Sequence, residues 1–137
     1  MIFIINIILF IIYGGIYVIF DYFHWKFKVK KELLAVFFCD GLAGVLIGLL
    51  NEFNPEMTIS MQVLIGVLMI LCIEFIVGCI LNLWLKLDIW NYNKVTRYHI
   101  MGQVAPIFTI NWIPIIWIVI YIDDILRNLF FMIGIGQ

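Results

Sequence analysis

Charge is scarce in this chain. Its 137 residues include eight Lys or Arg and nine Asp or Glu, so 12% of the side chains are charged while 66% are hydrophobic. At that balance a soluble globule would lack the polar surface needed to face water. No long basic block is present and the formal net charge is -1. Phosphate backbones demand concentrated Lys and Arg on one face, so nucleic acid is set aside as a partner.

Chemical motifs are equally sparse. The sequence has no G-x-x-x-x-G-K-[ST] phosphate loop, no G-x-S-x-G elbow and no H-E-x-x-H zinc helix. We therefore expect no enzyme activity and no cofactor, and any ATPase must be a separate chain. The three cysteines, Cys39, Cys72 and Cys79, all fall in apolar runs, where they read as small packing residues rather than a disulfide framework. His24 and His99 stand alone beside aromatics and have no metal-ligand spacing, so both read as interfacial structural residues.

Long apolar runs are what the chain does have. Residues 1–20, 33–50, 61–85 and 102–122 each approach the length of about 20 residues that crosses a hydrocarbon core. The runs are continuous rather than alternating, which favours helices over barrel strands. The expected fold is an all-α membrane protein: one domain over residues 1–137, with four transmembrane helices, short loops and an interfacial tail at 123–137. The first run has no basic region before it and no small-residue cleavage site, so it reads as a retained span rather than a signal peptide.

Basic residues orient the bundle. Lys26, Lys28, Lys30 and Lys31 follow the first run, and Lys86, Lys94 and Arg97 follow the third. The other side carries only Arg127, with Glu52 and Glu56 in its loop. Positive residues in short loops stay in the cytoplasm, which places both termini outside. Tyr22, Trp25, Trp84, Trp90, Tyr92 and Tyr98 cluster where the cytoplasmic headgroup layer would lie.

Polar residues inside the runs are the candidates for function. Glu74 is the sole charged residue of the third run, and a carboxylate at that depth needs a partner, a proton or water. Glu74, Gly78 and Asn82 recur every four residues, so they share one helix face leading toward the cytoplasm. Counted from the cytoplasmic ends, Glu74 and Asn111 reach similar depth and are expected to meet, while Asp40 enters the second run from the same side. Glu74, Asn111, Asn82 and Asp40 are thus candidates to line a substrate or ion path. The competing reading is helix glue, in which each polar contact contributes about 1 kcal/mol and no path exists. Gly44 and Gly48 form a small-xxx-small pair beside Asp40, which fits close helix packing. In the fourth run Pro106 and Pro114 each remove a backbone donor and are expected to bend the helix.

The second half of the chain carries a resemblance. The runs Glu74-Phe75-Ile76-Val77-Gly78, Leu85-Lys86-Leu87-Asp88-Ile89-Trp90-Asn91-Tyr92-Asn93 and Tyr98-His99-Ile100-Met101-Gly102-Gln103 resemble the ABC-transporter type IV permease family of small bacterial membrane proteins. Glu74, Trp90, Tyr92 and Gly102 fit that family's pattern, whereas Asn91 replaces the usual acid, Asn93 the usual Ser and Gln103 the usual Arg. Those departures remove an opposite-charge pair that relatives can form. The resemblance implies a transport component in the bacterial plasma membrane, acting as a homo-oligomer or with another membrane chain and a separate cytoplasmic ATPase. It also makes Trp90, Asn91, Tyr92, Asn93, Gly102 and Gln103 an interface motif, although Trp, Tyr and Asn in that pattern equally suit a plain turn at the membrane surface. The alternative reading is a structural or regulatory membrane subunit whose carboxylates fix helix pairing and whose basic loops bind a partner or anionic lipid.

Overall fold

The computed structural model describes residues 2–25 and 30–134. Lys26 and Lys28 of the first basic loop lie outside them. Four α-helices account for most of the described chain: α1 (Ile2–Trp25), α2 (Lys30–Phe53), α3 (Ile59–Gly78) and α4 (Trp112–Met132). Among the described residues there is no strand, only one isolated antiparallel bridge between Ile100 and Val104.

Local chemistry explains where the helices stop and start. Thr58 caps α3 by accepting from the Met61 N–H, and the turn before it is closed by the Met57 N–H donating to the Asn54 carbonyl at 3.0 Å. At its other end α3 widens into a π-helical turn over Cys79–Trp84. Two stretches, Glu32–Phe53 and Ile59–Trp84, are long and apolar enough to cross a membrane.

The fourth helix departs from expectation. It was expected over 102–122 and instead begins at Trp112, so residues 123–132 are its second half rather than an interfacial tail. The reason is backbone chemistry. Gly102 adopts a left-handed φ of 73°, and Pro106 opens a separate 3-10 helix, Pro106–Asn111, which ends where α4 begins. Pro114 then falls in the first turn of α4, where no intrahelical N–H is required, so it does not interrupt the helix. The connection from α3 to α4 is consequently a long folded segment, not a short loop.

α2 is the centre of the bundle and touches all three other helices. Against α1 it packs through reciprocal glycines. A methyl group on Gly14 would lie 2.6 Å from the Phe37 carbonyl oxygen, and one on Gly41 would lie 2.9 Å from that of Phe10. The two backbones can therefore approach only because both positions lack a side chain. These pairs also run in opposite senses along the two helices, which makes α1 and α2 antiparallel. Gly66 of α3 meets both Ile116 of α4 and Ile47 of α2, closing the bundle.

The interior combines Leu9, Tyr13, Ile47, Ile70, Ile116 and Ile120 with four buried polar residues, Asp40, Gln62, Gln103 and Asp123. The exterior is apolar: Phe3, Ile11, Leu64, Leu68, Trp84 and Ile118 are all at least half exposed.

Candidate functional site

Polar side chains gather in three places, two of which involve residues expected from the sequence. The first is the folded segment after α3. The π-helical turn carries Asn82 toward this segment, where its carboxamide oxygen accepts from the Ile89 N–H at 2.6 Å and its amide donates to Gln103 Oε1 at 2.8 Å. Gln103 is 2% exposed; its amide donates to the Met101 carbonyl at 3.0 Å and its own carbonyl accepts from the Trp90 indole at 2.9 Å. Gly78 leaves the room for this, since a methyl there would lie 2.7 Å from Gln103 Oε1.

The remaining motif residues join the same knot. Asn91 accepts from the Asn93 N–H at 3.0 Å and so starts the 3-10 turn Tyr92–Lys94. The Tyr92 N–H donates to the Gly102 carbonyl at 2.8 Å, and the Gly102 N–H donates to His99 Nδ1 at 3.0 Å. Trp90, Asn91, Tyr92, Asn93, Gly102 and Gln103 are thus brought together, with Asn82 as the tie to α3. Asn82 and Gln103 spend their side-chain bonds inside the knot, where both act as scaffolding.

The second place lies between α2 and α3. Asp40 is buried on α2 next to Cys39 in sequence, and Glu74 of α3 is half-buried. Asp40 and Glu74 thus stand on two separate apolar helices that pack against each other. Asn111 does not sit deep in a span as expected. It is exposed at the junction between the 3-10 helix and α4, because the fourth helix starts there. Among the described residues no group of three or more His, Cys, Asp or Glu is placed to hold a metal ion.

The third place was not expected from the sequence. Asp123 of α4 is fully buried and accepts from the Tyr13 hydroxyl of α1 at 2.8 Å and from Arg127 Nε at 2.6 Å. Gly48 of α2 lies directly under this carboxylate, so closely that any side chain there would collide with it. One residue on, Asp124 accepts from the Asn51 amide at 2.8 Å, and Gln62 of α3 donates to Asn51 Oδ1 at 3.4 Å and to the Met57 carbonyl at 2.9 Å. This cluster ties all four helices together at the end opposite the knot. A signal existed: Asp123 and Arg127 stand four apart within an apolar context, the spacing of a helical ion pair. It was obscured because the stretch 123–137 reads as too short to span.

No family model, curated protein or solved structure matches the chain. The resemblance to the type IV permease family therefore rests on the motif residues alone.

Proposed function

We propose that the chain is a four-span, multi-pass protein of a bacterial plasma membrane with both termini outside, serving as a small permease-like transport component. The observation that carries this reading is that Asp40 and Glu74, one buried and one half-buried, stand on two packed helices, each of which is long and apolar enough to cross a bilayer. Ionisable side chains at such depth mark substrate, ion or proton paths more often than they mark packing. A pair of carboxylates suits a cation or a proton rather than an anion. The apolar exterior with polar residues inside supports the lipid setting, since water would favour the reverse.

Four helices leave little interior space, so a path of useful width forms at an interface, in a homo-oligomer or with another membrane chain. A separate cytoplasmic ATPase would dock on the knot around Trp90 to Asn93. The test is flux in proteoliposomes. Glu74→Gln should abolish cation or proton flux while reconstituted level and oligomer size stay at wild-type values; unchanged flux would refute the path.

A second reading draws on a different observation. Asn82 and Gln103 bond to each other and to the loop backbone, which is what a structural or regulatory subunit would do with all its polar residues. On that reading Glu74→Gln lowers assembly or abundance and causes no selective flux defect.

A further inference from the structure

The end of the bundle beside the Asp123 ion pair holds three enclosed polar atoms that no protein group satisfies, Nη2 of Arg127, Oδ1 of Asn6 and, on the α3 side of the cluster, Oε1 of Gln62. The Arg127 side chain is 10% exposed, so its free donor does not open onto the surface. Nearly all buried polar groups find a partner, and an orphan donor with orphan acceptors at the same end of a bundle points to a small guest that can both accept and donate.

Register places Asn6 and Arg127 at one level. Gly41 packs on Phe10 and Gly14 on Phe37, so α1 and α2 pass each other in opposite directions. Following that register from Gly41 to Gly48 leads to the first turns of α1, where Asn6 lies. Gly48 is the residue in contact with Asp123, and Arg127 binds Asp123 from one turn further along α4. Asn6 also shares a face of α1 with Leu9 and Tyr13, and Tyr13 donates to Asp123. Side chains on a helix lean toward its N-terminus, which carries the Tyr13 hydroxyl outward to meet Asp123 near the level of Asn6.

Charge decides what the guest is. Arg127 and Asp123 already neutralise each other, so an added anion such as a phosphate or carboxylate would leave net negative charge in a low-dielectric interior. A neutral hydrogen-bonding molecule carries no such cost. We infer that the ends of α1 and α4 enclose a hydrated vestibule in which water bridges Arg127 and Asn6 and reaches the Tyr13–Asp123 contact. This does not depend on the transport reading, because it concerns a different end of the bundle and would hold in a purely structural subunit.

Two measurements test it. In lipid nanodiscs, Asn6→Cys and Ile7→Cys are treated with a charged, membrane-impermeant thiosulfonate and read by peptide mass spectrometry. Ile7 lies at the same depth with an exposed apolar side chain, so it serves as the lipid-facing control. The vestibule predicts modification at position 6 at least tenfold faster than at position 7, and equal or slower modification at position 6 would overturn it. Radiolytic hydroxyl-radical labelling of the unaltered protein needs no substitution. Tyr13 and Tyr17 are both buried, at 1% and 6% exposure, yet only Tyr13 borders the vestibule. Tyr13 should be oxidised at least threefold faster than Tyr17, and the opposite order would contradict bound water at this site.

Discussion

The Tyr13 hydroxyl of α1 donates to the Asp123 carboxylate of α4 at 2.8 Å across 110 positions of sequence. This contact joins the first helix to the last and sits over Gly48 of the central helix, so it acts as a clasp on the bundle. A carboxylate buried among apolar helices is tolerable here because Arg127 neutralises it and Tyr13 supplies a second hydrogen bond.

The clasp makes a clear prediction for paired substitutions. Asp123→Leu or Arg127→Met alone strands one buried charge or its donors and should destabilise the bundle by about 3–5 kcal/mol. The double substitution removes both and should recover most of that loss. Thermal unfolding in detergent, followed by loss of a monodisperse elution peak, measures the difference; equal damage from the double variant would show that the pair is not coupled.

Close packing predicts a contrast between glycines. Gly48→Ala drives a methyl into the Asp123 carboxylate and should cost about 1–3 kcal/mol through overpacking. Gly15→Ala meets nothing within 4 Å and should be neutral or slightly stabilising, since alanine favours a helix. The same unfolding assay decides this, and similar melting points for the two variants would count against the packing described.

The knot beyond α3 should open when its tie is cut. Asn82→Ala removes both the bond to Gln103 and the acceptor for the Ile89 N–H, each contributing about 1 kcal/mol. Trypsin should then cleave after Lys86, Lys94 or Arg97 roughly tenfold faster, as about 1.4 kcal/mol of lost protection implies. Unaltered cleavage would mean that the segment is held by something other than Asn82.

Much of this architecture was readable in the sequence, and the failures have physical causes. The first three apolar runs lie within or close to helical segments because hydrocarbon-length runs satisfy their own backbone bonds. The fourth was misplaced because Val104, Ile107, Phe108 and Ile110 are as apolar as any span, and prolines such as Pro106 are tolerated within membrane helices. The left-handed backbone at Met101 and Gly102, closed by the Ile100–Val104 bridge, shows that the chain turns there. That shift of ten residues moved Asn111 to a helix end and hid Asp123 and Arg127 in what looked like a tail. The knot residues were recognised as a group, but their role as mutual hydrogen-bond partners depends on the π-helical turn that aims Asn82, which no spacing announces. The pairing of α2, which carries Asp40, with α3, which carries Glu74, is likewise a property of packing rather than of either run.

A bundle that crosses a membrane has the turn before α3 and the knot after it on opposite sides. Asn54→Cys and Lys94→Cys, treated in sealed right-side-out vesicles with an impermeant thiol reagent, test it most directly. Labelling is expected at position 54 from the outside alone and at position 94 only after the vesicles are inverted or opened. Labelling of both positions from the same side would contradict it.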